Sequence, residues 1–363
     1  MKKIFLHITS HCIFPINSWG NRSIYNFLKF LSQKYDVFFI NEKNKSDYKN
    51  DLKNIETFEV IKNWKVKFLD ITLLFKILKI IKEKRIDIII FDYPWFWLYL
   101  YFIKKITWVK IILREHNIEF ERFKDNKYWW WKILYYYEKL ICKIVDDIFF
   151  ITEFDKRKAQ KYFKINKWQV LNYWIDINKF NVIWNEKYKK QIRKELNIKN
   201  EEKIISFFGK LDYYPNRQAL QIIFKEIYPR LIRKWFKFKL VINWWPIPDE
   251  YKNYDNVIFT GVVSKIEQYV KWCDIMINPI LSWWWIKTKI IEALACGKIV
   301  ISTVKWAEWI DSEITEWKLI IVDNNDWNSF VEKIIENSEK EDFVSEKFLK
   351  NYELSNIIDN LKL

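Results

Sequence analysis

Short runs of β-branched and aromatic residues alternate along this chain with longer stretches in which apolar residues recur every three to four positions. Runs of the first kind read as strands and the longer stretches as amphipathic helices. In the first half, strands are expected at 3–8, 36–40, 87–91, 110–114 and 147–151, with helices at 21–34, 73–84 and 131–143 between them. Another strand and turn is expected at 170–176, followed by a polar stretch at 178–190. The pattern then restarts. Strands are expected at 204–209, 239–243, 257–259, 275–278, 299–302 and 319–322, with helices at 218–234, 266–271, 287–296 and 329–337. Such alternation is the signature of βαβ units. It predicts an α/β protein of two Rossmann-like, doubly wound domains, 1–178 and 179–340. A helical tail, 341–363 with its helix at 341–361, is expected to pack back on the first domain. Ligands of such sheets bind beyond the carboxyl ends of the strands. Two such domains facing a central cleft would gather the chemistry there.

Composition narrows this picture. A length of 363 residues suits two domains, and 50% hydrophobic with 30% charged residues suits a globular chain. The most apolar stretch, 86–103, contains Asp87, Asp92 and Pro94, and so falls short of the roughly 20 apolar residues of a membrane-spanning helix. The apolar start is broken by His7, Ser10 and His11, which favours a buried first strand over a signal peptide. Cys12, Cys142, Cys273 and Cys296 are far apart, without metal or disulfide spacing, as expected in a reducing cytoplasm. The net charge is +16, but the abundant Lys, Ile, Asn, Phe and Tyr have AT-rich codons, so codon bias accounts for much of it. A basic face would suit nucleotide phosphates or the inner face of an anionic cytoplasmic membrane. Aromatic residues and lysines interleave at 95–105 and 128–143, a pattern of core helices and also of peripheral membrane contact. No nucleic-acid recognition motif is present, and no nucleic-acid partner is expected.

The chain holds 22 tryptophans and 4 glycines, an inversion of ordinary usage. Trp283-Trp284-Trp285 lies between an apolar run and a Lys-rich helix start, Trp244-Trp245 precedes Pro246, Trp19 abuts Gly20, and Trp306 and Trp309 punctuate the segment after a strand. These are places where a backbone usually needs positive φ or a close approach to a ligand. Many of them therefore read as glycines, encoded by UGA in an organism that translates it as glycine.

With that substitution, 278–298 becomes a strand, a Gly-rich loop (Ser282, Trp283, Trp284, Trp285) and a helix start (Lys287, Thr288, Lys289) with Glu292 one turn on. Backbone N–H groups and the helix dipole there make an anion site suited to a diphosphate. Here the chain resembles the retaining GT-B glycosyltransferases of family 4, the glycosyl transferases of group 1, from Ser282 through Thr303 to Ile310. Four other stretches are similar to that family in order: 15–22, 114–119, 172–176 and 209–216. The resemblance implies a GT-B fold and sugar transfer from a nucleotide-diphosphate donor, without a metal or other cofactor. It implies that Glu292 binds the donor ribose and that Gly209 and 282–285 hold the diphosphate. It also implies that His116 lies near the transferred sugar, under a closing loop with Trp19, Gly20 and Arg22. An earlier family Glu is replaced by Trp284, and the Lys usual after the Gly209 loop by Pro215-Asn216-Arg217, leaving Lys210, Arg217 or Lys289 to supply that charge. His116, Lys289 and Arg22 are the expected catalytic residues. The acceptor implied is a glycan or lipid-linked glycan of the cell envelope. A non-catalytic nucleotide-sugar-binding paralogue and a nucleotide-sugar epimerase of the same fold are the alternatives.

Overall fold

The computed structural model of the protein describes residues 2–16, 19–43, 52, 54–62, 67–125, 127–175, 186–209, 214–243, 248–261, 263, 266–281, 287–308, 310–340, 343–353 and 357. The chain divides into two compact units, Met1–Trp174 with Leu354–Leu363, and Ile175–Glu353.

The first unit holds seven strands: β1 (Ile4–Ile8), β2 (Asp36–Glu42), β3 (Glu56–Ile61), β4 (Ile88–Asp92), β5 (Lys110–Glu115), β6 (Asp147–Phe150) and β7 (Gln169–Val170). All pair in parallel, in the order β3-β2-β1-β4-β5-β6-β7. Among the described residues, six helices connect them: α1 (Trp19–Lys34), α2 (Ile71–Lys84), α3 (Trp97–Ile106), α4 (Glu119–Asp125), α5 (Trp131–Ile144) and α6 (Glu153–Phe163). A parallel sheet has both faces covered, so its central strands are largely apolar. Leu6, Ile8, Ile89 and Phe91 join one core cluster, while Phe5, Ile88 and Ile90 join the other. Burial of each such side chain contributes about 1.5–3 kcal/mol. Local chemistry fixes the helix ends. Asp70 caps α2 by accepting from Thr72 N at 3.0 Å, and Thr152 caps α6 by accepting from Asp155 N at 2.9 Å.

The second unit holds β8 (Lys203–Phe208), β9 (Phe238–Asn243), β10 (Val257–Phe259), β11 (Ile275–Asn278), β12 (Ile299–Thr303) and β13 (Leu319–Val322), parallel in the order β10-β9-β8-β11-β12-β13. Its helices are α7 (Glu186–Glu195), α8 (Tyr214–Ile222), α9 (Tyr228–Arg233), α10 (Ile266–Trp272), α11 (Thr288–Ala295), α12 (Val304–Ala307), α13 (Trp327–Asn337) and α14 (Glu346–Tyr352).

Several elements depart from the sequence expectation. The expected helix at 218–234 begins at Tyr214 and contains a π-helical turn, Ile223–Ile227, just before Pro229. Proline cannot donate the helical hydrogen bond, and the widened turn absorbs that loss. Residues 19–22 are the first turn of α1 rather than a loop. The buried stripe Ile24, Phe27, Leu28 and Leu31 sets the helical period there, and Gly20 sits within it. Of the expected tail, α14 lies within the second unit and Ile357 packs against the core cluster of the first, while 341–342, 354–356 and 358–363 lie outside the described residues. Ser345 caps α14 and also donates to Ile314 O at 2.8 Å, and Glu353 ends the helix in an extended conformation. The expectations at 17–18, 176–185, 210–213, 244–247, 282–286 and 309 lie outside the described residues.

Candidate active site

In a doubly wound sheet, the point where successive strands turn to opposite sides of the first strand leaves a crevice at the carboxyl ends. The strand orders place this point between β1 and β4 in the first unit and between β8 and β11 in the second. The polar side chains of each unit collect there.

In the first unit the hub is Asp92, the last residue of β4, which is completely buried. Its Oδ1 accepts from His116 Nε2 at 2.8 Å and Arg114 NH1 at 3.1 Å, and its Oδ2 meets His7 Nε2. Burial alone would raise the Asp92 carboxyl, but His7, Arg114 and the bond from His116 hold it well below the usual range. Arg114 NH2 donates to Ser23 Oγ at 2.6 Å, and its guanidinium lies over the rings of Phe27 and Trp174 at 4.8 and 4.7 Å. Arg114 therefore pairs across the sheet with Asp92 rather than with the neighbouring Glu115. His116 follows β5 directly and stacks on Tyr93, with centroids 4.3 Å apart and planes 19° apart. Burial, then Arg114, push its pKa down to about 4, so the ring is neutral at pH 7. Gly20 lies beside Tyr93: a Cβ there would stand 3.3 Å from the phenol oxygen. Arg22 is on α1, partly buried.

In the second unit Gly209 follows β8, and a Cβ at this position would run into Lys289 Nζ and the Asn216 amide, 2.7 Å from its Nδ2. Asn216 is buried in the first turn of α8 and accepts from Lys289 Nζ at 2.6 Å. Lys289 lies in the first turn of α11, its ammonium 4.8 Å from the ring of Phe207. Burial lowers its pKa to about 7, opposed by the charge of Glu292 three residues on. Thr288 opens α11, and Glu292 is buried one turn further along. Of the residues expected to supply the charge at Pro215-Asn216-Arg217, Lys289 lies against Asn216, and Arg217 is exposed. Lys287, at the N-cap, is buried with its ammonium 4.0 Å from the ring of Trp306. Lys210 and 282–285 lie outside the described residues. Among the described residues no cluster of metal-ligating side chains occurs.

His7 and Asp92 were not legible as site residues from the sequence. Their one sequence signal is a polar group in an otherwise apolar strand, which is costly unless paired. The same holds for a buried acidic group beside the hub. Glu138 of α5 accepts from Glu119 N and Phe120 N, both at 2.8 Å, while both carboxyl oxygens of Glu115 are buried with no hydrogen-bond partner among the described residues. Burial, then Glu138 and Glu119, push the Glu115 carboxyl far up, and burial brings Glu138 to about 8.

Known proteins share this organisation. Residues 202–339 match the family of glycosyl transferases group 1, and residues 20–179 match Glycosyltransferase Family 4. No curated protein matches the chain by sequence. A glycosyltransferase from Rickettsia africae ESF-5 is similar over 99% of this chain and 96% of its own, at 18% identity and a TM-score of 0.74. Anabaena Alr3699/HepE in complex with UDP is similar over 98% of this chain and 97% of its own, at 12% identity and a TM-score of 0.70. The lipopolysaccharide outer core galactosyltransferase WaaB is similar over 98% and 97%, at 15% identity and a TM-score of 0.68. These likenesses establish the fold as GT-B, two Rossmann-like parallel-sheet domains.

Proposed function

This chain is a glycosyltransferase of GT-B fold, with a family 4 domain ahead of a group 1 domain, and from that premise we propose that it transfers a hexose-type sugar from a nucleoside-diphosphate donor to a glycan or lipid-linked acceptor with retention of anomeric configuration. One observation carries the reading: Gly209, Asn216, Lys289 and Glu292 converge at the crevice between β8 and β11. The N-terminus of α11 offers N–H groups to an anion, Lys289 adds a cation, and Glu292 is placed to accept from a ribose diol. As the bond from the sugar to the diphosphate breaks, negative charge grows on the leaving phosphate, where fixed N–H groups and Lys289 stabilise it. This reading assigns the charge stabilisation to protein groups rather than to a metal ion. In this reading His116 and Arg22 act on the transferred sugar.

The Anabaena relative is described with UDP and with UDP-glucose, which makes UDP-hexoses the first donors to test. Incubation with UDP-, GDP- and ADP-hexoses and a glycan acceptor, followed by NMR of the anomeric signal, should show nucleotide release and a product with the donor's configuration. Release from none of these donors would contradict the reading, and inversion would contradict its stereochemical part.

The similarity to a lipopolysaccharide transferase supports a setting in cell-envelope polysaccharide or glycolipid assembly. No helix among the described residues is long and apolar enough to cross a membrane. The outer ridge of α5 exposes Ile133, Tyr136 and Leu140 beside Lys132 and Lys143, which supports peripheral contact with an anionic bilayer. Active protein that fails to co-sediment with anionic vesicles would remove that element.

The glycine reading of the tryptophans is part of the same proposal. Trp235 supports it best. The residue follows α9 with φ 55° and is 91% exposed. Its N–H bonds to Ile232 O at 2.9 Å and that of Phe236 to Leu231 O at 3.3 Å, the Schellman pattern whose central residue is usually glycine. The indole N–H groups of Trp272 and Trp306 are buried without a partner among the described residues, a cost glycine would not carry. Trp174 behaves differently, since it packs on Phe27 and Arg114. UGG codons at 283–285 and 306 would contradict this part and leave a chain that binds or transfers no donor.

A further inference from the structure

We infer that Asp92 is a positioning residue for His116, its carboxylate locking the imidazole in the Nε2–H tautomer so that Nδ1 is the ring's acceptor atom. What His116 then meets, a donor sugar hydroxyl, rests on the glycosyltransferase reading; the lock itself does not.

An ionised carboxylate only accepts, and a guanidinium only donates. Asp92 Oδ1 lies 2.8 Å from His116 Nε2 and 3.1 Å from Arg114 NH1, so the proton between Asp92 and the ring belongs to Nε2. A neutral imidazole carrying that proton keeps its lone pair on Nδ1. This nitrogen has no hydrogen-bond partner among the described residues, and the ring, 7% exposed, retains one open edge. His7 bonds the other carboxylate oxygen while its own Nδ1 is buried without a partner, which makes it a buttress rather than a second reacting group.

The lock is held from every side. Arg114 neutralises Asp92 and is itself fixed by Ser23 Oγ at 2.6 Å and by the faces of Phe27 and Trp174. Tyr93 covers one face of the imidazole at 4.3 Å, and its φ of 68° shows that the backbone is held in an unusual conformation to present the ring there. Turning His116 over would break the bond to Asp92 and leave a buried carboxylate oxygen short of a donor. In this state the ring accepts a hydrogen bond from a hydroxyl at Nδ1, and it does not serve as a cation.

Long-range 1H–15N spectra of protein labelled at histidine test this directly, because the chain has 3 histidines, His7, His11 and His116, and single substitutions assign them. The wild-type spectrum should show His116 as the Nε2–H form. Its Asp92→Asn variant should lose the single tautomer, bind UDP with unchanged affinity and show at least a tenfold lower kcat, with partial recovery in Asp92→Glu. A wild-type His116 in the Nδ1–H form overturns the inference, as does an Asp92→Asn variant with native tautomer and native kcat. If Asp92→Asn fails to fold because Arg114 is left unpaired, the wild-type spectrum decides alone. It also decides alone if the wild type transfers no sugar, an outcome that counts against the proposed function and not against the lock.

Discussion

In the proposed donor site, Lys289 is the side chain on which binding depends most. Burial takes its pKa down to about 7, so near neutral pH it is a mixture of ammonium and amine. A diphosphate favours the ammonium, and donor affinity should therefore fall as pH rises from 6 to 9, with the bend near 7. Calorimetric titration of UDP across that range checks this; a flat profile would exclude Lys289 from the phosphate contact. Lys289→Ala should weaken UDP binding by roughly 10–100-fold, the size of a lost charge-assisted hydrogen bond, and abolish the bend. Stability has the opposite dependence on pH. Between about 7 and the ordinary lysine value the unfolded chain binds more protons than the fold, so this residue makes the ligand-free protein more stable as pH rises. Lys289 and Glu292 were legible because they sit three apart at a helix start after a Gly-type loop. The contact of Lys289 with Asn216 was not, because it joins residues 73 apart that meet only once β8 and β11 are neighbours.

Among the elements, α4 depends on a side chain from its neighbour. Both oxygens of Glu138 accept the first backbone N–H groups of α4, from Glu119 and Phe120. Glu138→Ala should cost about 1–3 kcal/mol in urea denaturation, because it leaves the buried N–H groups of Glu119 and Phe120 without their partner. Glu115 is held protonated by burial, so its folded pKa is raised. Its contribution to stability is full at low pH and is lost as pH rises through that raised value. Glu115→Gln should accordingly match the wild type near pH 5 and be more stable at pH 9, as denaturation at the two pH values would show; equal loss at both would contradict it. The strands of both sheets were legible as apolar runs because parallel strands are buried on both faces. α3 was legible only as the aromatic core-helix pattern at 95–105, without bounds, since Trp-Leu-Tyr-Leu-Tyr-Phe-Ile is apolar nearly all round and shows no helical stripe. β3, on the sheet edge, has a partly exposed face and too weak an apolar pattern to stand out.

At the scale of the whole molecule, each unit places its polar cluster where the strand order reverses, and the strand sequence alone implied two such units. The boundary after 174 was less legible, since contact rather than periodicity decides which unit a polar segment joins. The glycine reading has a consequence for stability. Trp235→Gly, at a left-handed position, should stabilise the chain by about 1–2 kcal/mol. The central claim is that the second unit holds a nucleoside diphosphate through Lys289 and Glu292. Calorimetric titration of UDP, GDP and ADP into the protein carrying glycine at 283–285 tests it most directly. Saturable one-to-one binding of at least one of them, weakened at least tenfold by Glu292→Ala with the fold intact, is the predicted result. Binding of none, or binding that Glu292→Ala and Lys289→Ala leave unchanged, would contradict it.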